Sequence, residues 1–148
     1  MKNIIRLIHK EYRNIDSYNE IKSYEEIKKE LAAGTFQLQT PKKWFDALEE
    51  QGVMFLNTSF TCEPGKPNSH KSIWTQFSSN VLKYISKKNP EIIWFLWGNE
   101  AISNKAFIEQ GIFYESRHPM MCSAKYENDF LKFDGFRKTM SMINWLGI

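Results

Sequence analysis

The chain has 148 residues, a length typical of a single domain. Hydrophobic residues make up 42% of the chain and aromatic residues 15%, which is enough to build a buried core and excludes a disordered polypeptide. The formal net charge of +3 permits contact with a polyanion but does not require it.

The sequence lacks the features of membrane, secreted and metal-dependent proteins. No segment reaches the roughly 18 uncharged apolar residues that a membrane helix needs, and the first residues lack the long apolar stretch of a secretory signal. The two cysteines, Cys62 and Cys122, form no paired metal or redox motif. We therefore expect a cytoplasmic, reduced protein that contacts no membrane and uses neither a metal ion nor a cofactor.

The amino-terminal quarter of the chain shows two helix patterns and a short strand pattern. Apolar residues recur at helical spacing over residues 4–12, which predicts an opening helix. Ser23 and Glu26 have the spacing of a capping box and predict the start of a second helix, which Gly34 is expected to end. Residues 35–39 alternate between apolar and polar side chains, which predicts a short edge strand.

The rest of the chain alternates between helical and strand patterns. Thr40 and Pro41 are typical of an N-cap and a first helical position, so they predict a third helix. Apolar runs at 53–57 and 92–97 predict two buried strands, and residues 112–115 predict a third strand. Further helices are expected over 72–86, after Asn99 and over 134–145. This alternation predicts an α/β fold, a parallel sheet flanked by helices, in one domain that spans the whole chain.

Polar or catalytically capable residues directly follow each predicted strand. They are Asn57, Gly98-Asn99 and Arg117-His118-Pro119. Ligands of open parallel sheets bind at the carboxyl ends of the strands, so these residues are candidates for a small-ligand or nucleotide site. Each also has a structural explanation, because Asn57 can begin a turn, Asn99 can begin a helix and His118 can be an ordinary loop histidine.

Five short motifs resemble those of the family 1 uracil-DNA glycosylases, in the same order and spacing. Gly52–Thr58 (GVMFLNT) resembles the family's GVLLLNT, and Asn68–Lys71 matches its NSHK. Phe95–Gly98 (FLWG) resembles its LLWG, and His118–Ser123 (HPMMCS) stands where the family has HPSPLS. Ile143–Trp145 matches its closing INW. The resemblance implies the family's α/β fold and its function, base excision repair by hydrolysis of the N-glycosidic bond of uracil in single- or double-stranded DNA.

The resemblance implies roles for two of the strand-end residues. Such an enzyme extrudes the uracil base from the duplex before it cleaves the glycosidic bond. The residue aligned with Asn57 reads the edge of uracil, and a carboxamide can pair with the O4 acceptor and the N3 donor of that base. The residue aligned with His118 donates a hydrogen bond to uracil O2, where negative charge gathers as the bond breaks.

The resemblance also implies contacts to DNA. The loop after His118 would enter the minor groove, where the family uses an apolar wedge. In this chain the wedge position falls at Cys122, which replaces the family's leucine, with Met121 beside it. Contacts to the DNA backbone position the duplex without reading its sequence. The residues that the resemblance places against DNA are Ser69, His70, Gly98, Asn99, Pro119, Met121, Cys122 and Ser123.

The family's GQDPYH segment has no counterpart in residues 1–148. In the family this segment carries the aspartate that orients the attacking water, a strand near the middle of the sheet and the phenylalanine that stacks on uracil. The aspartates of this chain are Asp16, Asp46, Asp129 and Asp134. None lies in a matching context, so none is expected to be the catalytic base. We therefore expect a fold without the family's amino-terminal strand, and impaired catalysis.

The sequence supports two functional hypotheses. The first is an amino-terminally shortened uracil-DNA glycosylase that binds uracil-containing DNA and retains residual activity. The second is a non-catalytic module, derived from the same fold, that binds DNA or a protein partner. In the second case the place of the missing strand is expected to be filled by residues 35–39, by another chain or by a second copy of this chain.

Overall fold

Six helices and two strands form the structure, a computed structural model that describes all 148 residues. The helices are α1 (Lys2–Tyr12), α2 (Tyr24–Ala32), α3 (Pro41–Glu50), α4 (Lys71–Lys88), α5 (Asn99–Ser103) and α6 (Gly135–Thr139). The strands are β1 (Ile93–Trp97) and β2 (Ile112–Ser116). Short 3-10 turns lie at Tyr18–Glu20, Asn104–Phe107 and Phe130–Lys132. The fold is α/β, with a parallel sheet flanked by helices, which confirms the predicted fold class.

The two strands form a parallel sheet and are joined by a crossover through α5. Ile93 lies opposite Ile112, and Trp97 lies opposite Ser116. Both strands coincide with apolar runs in the sequence, as predicted. Because parallel strands run in the same direction, this register brings the carboxyl ends of β1 and β2 to the same edge of the sheet.

The sheet separates two apolar clusters. Phe95, Trp97 and Tyr114 pack against the larger cluster, whereas Trp94 and Leu96 belong to the smaller one. Helices α1 to α3 and the carboxy-terminal segment therefore cover one face of the sheet, and α4 covers the other. The larger cluster contains Leu7, Ile8, Ile21, Ile27, Phe36, Trp44, Leu48, Phe130, Leu131, Phe133, Phe136 and Trp145, all of them buried.

Local signals in the sequence set the start of α2 and α3. The hydroxyl of Ser23 accepts a hydrogen bond from Glu26 N, and the Glu26 carboxylate accepts one from Ser23 N at 2.8 Å, which confirms the predicted capping box. The hydroxyl and the backbone N–H of Ser23 both donate to the Glu26 carboxylate, and these two bonds hold the pKa of Glu26 below its usual value. Gly34 follows α2 with a φ of 72°, as expected for the residue that ends it. Pro41 opens α3, but the side chain of Thr40 makes no capping bond.

Two predicted strands do not form. Residues 53–57 form no strand and make no ladder hydrogen bonds, and Val53 N donates instead to Leu48 O at the end of α3. Residues 35–39 form a bend and an irregular stretch, and Gln39 N donates to Leu146 O. The apolar pattern describes which side chains are buried, but a strand also requires a neighbouring backbone, and no strand of this chain is paired with either stretch.

The last predicted helix is shorter than expected. It was expected over 134–145, but α6 ends at Thr139, and tertiary hydrogen bonds hold the residues that follow. Trp145 N makes no helical hydrogen bond and donates instead to the Tyr12 hydroxyl at 3.0 Å, while the indole of Trp145 donates to the Thr139 hydroxyl at 3.0 Å. The bond to Tyr12, which is 133 positions away, outweighs the local helical pattern. No helix is both long and apolar enough to span a membrane.

Candidate functional site

The ends of β1 and β2 meet at Gly98 and His118. Gly98 N donates to Ser116 O at 2.8 Å, which continues the ladder one residue past the strand. Gly98 has a φ of 89°, and a Cβ atom built on it would lie 2.9 Å from Cβ of His118. Only glycine combines this conformation with so close an approach. The structure therefore brings together two of the three strand ends that the sequence singles out.

The ring of His118 is exposed and has a defined hydrogen-bonding direction. Its Nδ1 atom accepts a hydrogen bond from Met120 N at 3.2 Å. In the neutral ring the proton must then be on Nε2, because only an unprotonated nitrogen can accept. The Nε2 atom makes no hydrogen bond within the chain, so it is a free donor at the carboxyl end of the sheet.

Hydrogen bonds to the Pro119 carbonyl hold the loop after His118. Pro119 is buried, and its carbonyl accepts hydrogen bonds from the side-chain amide of Asn3 at 2.6 Å and from the thiol of Cys122 at 3.3 Å. Burial raises the pKa of the Cys122 thiol, and the nearby carboxylate of Asp129 raises it further. The thiol is therefore protonated and packed against its own loop rather than pointed outward as a wedge.

Two methionines form the outer side of this loop. Met121, which the resemblance places against DNA, is exposed, and Met120 beside it is 83% exposed. Cys122, at the wedge position, is only half exposed. The apolar surface that the loop offers is therefore contributed by the methionines more than by the cysteine. Met120 was not among the predicted contacts, and its signal in the sequence was the run of two methionines after His118-Pro119.

Ser69 and His70 lie in an ordered loop that precedes α4. The Ser69 hydroxyl accepts a hydrogen bond from Glu63 N at 2.7 Å. The Thr61 hydroxyl accepts from the indole of Trp74 at 2.8 Å and lies 2.9 Å from Nδ1 of His70. A hydroxyl that accepts from the indole can donate to Nδ1, which leaves Nε2 of His70 as a donor toward solvent.

An ion pair joins this loop region to the start of α5. Lys71, next to His70, pairs with Glu100, next to Asn99. Asn99 itself is exposed and is the first residue of α5, while Gly98 occupies the N-cap position that the sequence assigns to Asn99. Because Gly98 contacts His118, this ion pair brings the loop before α4 close to the same end of the sheet.

Asn57 stands apart from these contacts. Its side chain is exposed and makes no hydrogen bond, and none joins it to His118. The following residue, Thr58, is fixed because its carbonyl accepts from the Ser78 hydroxyl of α4 at 2.7 Å. The structure therefore places Asn57 directly before an anchored residue, with its carboxamide free.

Two basic groups lie beside the His118 loop: Arg117, which the sequence singles out as a strand-end residue, and Lys125, which it does not. The guanidinium carbon of Arg117 lies 3.5 Å from the ring centroid of Tyr126, and Arg117 N donates to Asn128 O at 2.8 Å. Lys125 and Arg117 hold the pKa of the Tyr126 hydroxyl below its usual value. Their signal in the sequence was a basic residue on each side of the HPMMCS motif.

Two clefts lie away from these residues. A cleft of about 420 Å³ is lined by His9, Glu30 and their neighbours, and one of about 500 Å³ is lined by Trp44, Phe36 and residues at both chain ends. Neither contains a candidate residue. No three histidine, cysteine or acidic side chains are grouped in the geometry of a metal site.

The parallel sheet, with Gly98 against His118 at its carboxyl end and an anchored loop beyond, defines an α/β protein whose polar site lies at the strand ends. Uracil-DNA glycosylases match most of the chain. The enzyme of Borreliella burgdorferi (strain ZS7) is 37% identical over 123 residues, which cover 81% of this chain and 52% of that enzyme.

Two other uracil-DNA glycosylases match the chain at similar identity. The uracil-DNA glycosylase of Alkaliphilus oremlandii is 35% identical over 127 residues, 84% of this chain and 54% of that enzyme. That of Clostridium beijerinckii is 38% identical over 105 residues, 69% of this chain and 44% of that enzyme. No protein-family model matches the chain. The chain is therefore homologous to one part of the uracil-DNA glycosylases, and it spans about half the length of the curated relatives it matches.

Proposed function

We propose that this chain binds uracil-containing DNA and contributes the base-reading and charge-stabilising residues for hydrolysis of the uracil N-glycosidic bond. The observation that supports the proposal most directly is the contact between Gly98 and His118, which fixes the imidazole at the carboxyl end of the sheet with Nε2 free to donate. The relatives at 35–38% identity are named uracil-DNA glycosylases. Repair of DNA and the two free cysteines agree with a reduced, cytoplasmic location.

His118 and Asn57 divide the recognition of the base between them. The Nε2–H of His118 donates to uracil O2, and this bond strengthens as negative charge develops on the leaving base. The carboxamide of Asn57 accepts from N3–H and donates to O4, a pattern that cytosine does not offer. No other side chain competes for Asn57, because it makes no hydrogen bond within the chain.

The loops around His118 hold the DNA backbone and fill the space left by the extruded base. Donors for phosphate oxygens come from Ser69, His70, Asn99 and Ser123, with the positive charge of Arg117 nearby. The backbone approaches closely at Gly98 and Pro119, and the exposed side chain of Met121, beside the half-buried Cys122, enters the minor groove. Insertion of apolar groups there unstacks the base step and favours extrusion of the base.

A single-turnover assay tests the proposed function. The chain is mixed in excess with an end-labelled oligonucleotide that contains one uracil, and release of uracil is followed over time, with a matched thymine oligonucleotide as the control. We expect slow release from the uracil strand and none from the thymine strand, because residues 1–148 contain no GQDPYH aspartate to orient water. Equal affinity for both oligonucleotides, together with no release from either, would contradict the proposal.

A second candidate function, protein interaction by strand addition, has its own structural support. Ile112 N donates to Ile92 O at 2.9 Å, and Gly98 N donates to Ser116 O at 2.8 Å. In a parallel ladder these two bonds mean that the even-numbered residues of β1 direct their backbone groups to β2. The odd-numbered residues direct theirs outward, and no hydrogen bond within the chain satisfies them. An unpaired edge of this kind can accept another strand.

The stretch at 53–57 contacts both apolar clusters without being paired to the sheet. Val53 packs with the larger apolar cluster, on the same face as Phe95, and Leu56 packs with the smaller cluster, on the same face as Leu96. We infer that an extended apolar segment of another polypeptide adds beside β1, between the two clusters.

The exposed face of α4 is a second apolar surface available to the same polypeptide. Ile73, Phe77 and Tyr84 lie along one side of the helix and are 69%, 53% and 64% exposed. A stripe of large apolar side chains at helical spacing on a surface is typical of an interface. The relatives are about twice as long as the part that this chain matches, so their unmatched part is the proposed occupant.

Amide hydrogen exchange tests this second function. In the chain alone, the outward amides of Phe95 and Trp97 are expected to exchange faster than the inward amides of Trp94 and Leu96, because only the latter are in the ladder. The unmatched part of the Borreliella burgdorferi relative, added as a separate polypeptide, should slow the outward amides selectively. Unchanged exchange after saturation with that polypeptide would contradict strand addition by it. Protection that instead grows with the concentration of the chain alone would identify a second copy as the occupant.

A further inference from the structure

A fully buried carboxylate lies beneath the loop that carries His118. Asp129 has no exposed surface, and its side chain accepts three hydrogen bonds. Ser123 N donates to Oδ2 at 2.5 Å, Leu131 N donates to Oδ1 at 2.9 Å, and the Tyr18 hydroxyl donates to Oδ1 at 3.0 Å. Asp129 was rejected as a catalytic base from the sequence, and it has no role in the base recognition described above.

The three donors come from separate parts of the chain. Ser123 ends the His118 loop, Leu131 lies in the next turn, and Tyr18 lies in the turn between α1 and α2. Burial and the bond to Asp129 raise the pKa of Tyr18 to about 12, so the hydroxyl keeps its proton and remains a donor at neutral pH. A carboxylate is costly to bury unless donors of this kind surround it, so the arrangement fixes the positions of all three segments relative to one another.

We propose that Asp129 is a positioning residue for the loop from His118 to Ser123. The loop is held at its start by the contact with Gly98 and by the bond from Asn3 to the Pro119 carbonyl. The bond from Ser123 N to Asp129 is the corresponding anchor at its end. With both ends fixed, the side chains between them have a defined position relative to the His118 ring. The consequence for DNA rests on the proposed function, but the anchoring itself does not.

The thiol of Cys122 reports on this anchor without any DNA. In a Cys62→Ser background, Cys122 is the one remaining thiol, and its contact with the Pro119 carbonyl protects it. Asp129→Asn places an amide opposite Ser123 N, where two donors face each other. We expect Cys122 to react with a disulfide reagent about tenfold faster, the effect of one lost charge-assisted hydrogen bond. Because loss of the Asp129 charge also lowers the pKa of Cys122, the rates are compared per thiolate, from the pH dependence of labelling. Tyr18→Phe removes a single donor and should give a smaller increase in the same direction.

Asp134→Asn is the matched control, because Asp134 is exposed and pairs only with Lys138 at the surface. Its labelling rate should equal that of the Cys62→Ser parent. The denaturant dependence of labelling separates an anchor from general destabilisation, because a local opening exposes little surface and global unfolding exposes much. Unchanged labelling in folded Asp129→Asn and Tyr18→Phe would overturn the proposal. So would faster labelling with the denaturant dependence of global unfolding.

DNA binding then tests the consequence. Asp129→Asn is expected to weaken binding of the uracil oligonucleotide about tenfold, while Asp134→Asn leaves it unchanged. If the parent chain fails to bind DNA, the proposed function is wrong, and the labelling result still decides whether the anchor exists. If the parent binds and labelling responds while affinity does not, the anchor exists but does not position the loop for DNA, which overturns the proposed role.

Discussion

His118→Ala is expected to lower the single-turnover rate of uracil release by about 10²- to 10³-fold, the usual cost of losing one preorganised donor to developing negative charge. The reason is the fixed geometry of the ring, whose Nδ1 is occupied by Met120 N so that Nε2–H is presented outward. Binding of the oligonucleotide should change much less than the rate, because the donor acts mainly on charge that develops in the transition state.

The rate is measured with the chain alone and with the unmatched part of the Borreliella burgdorferi relative added. Asn57→Ala should reduce both the rate and the preference for uracil over cytosine, because the carboxamide is the group proposed to read the base edge. Asn80→Ala is the control, since Asn80 is an exposed residue of α4 whose side chain only accepts from Gln76. A His118→Ala chain that releases uracil at the parent rate would remove His118 from the mechanism.

Phe136→Ala is expected to lower the free energy of unfolding by about 3 to 5 kcal/mol, the range for loss of a buried aromatic ring. Phe136 is 1% exposed and lies at the centre of an aromatic group. Its ring centroid is 4.5 Å from that of Trp145, 5.8 Å from that of Phe95 and 6.0 Å from that of Trp97. Truncation leaves a cavity that these large rings cannot fill by small movements.

Urea unfolding of the parent and the variant measures this loss. Phe77→Ala is the matched control, because the same side chain is removed from the exposed face of α4 and should cost less than about 1 kcal/mol. Similar losses for the two variants would mean that the aromatic group around Phe136 is not the centre of the core. A selective loss for Phe136 would tie the stability of β1, and therefore the position of Gly98, to the packing of the carboxy-terminal segment.

Features with a local cause were predictable from the sequence. The capping bonds of Ser23 and Glu26 lie within four consecutive residues, and the proline that opens α3 restricts its own backbone. The run that became β1 is apolar over its whole length, as a buried strand requires, and β2 begins with the apolar residues Ile112, Phe113 and Tyr114. The meeting of Gly98 and His118 was also predictable, because parallel strands deliver their carboxyl ends to one edge whatever the details of packing.

The sequence by itself therefore determined the class of fold, the two paired strands and the residues at their ends, through periodicity, capping and motifs that act over a few residues. Only the tertiary structure decided that residues 53–57 stay unpaired, that α6 stops at Thr139 and that Asp129 anchors the His118 loop. Each of these depends on a backbone or a donor far away in the chain, as in the bond from Tyr18 to Asp129 across 111 positions. No pattern within a short window can specify such a partner, because the fold alone brings the two groups together.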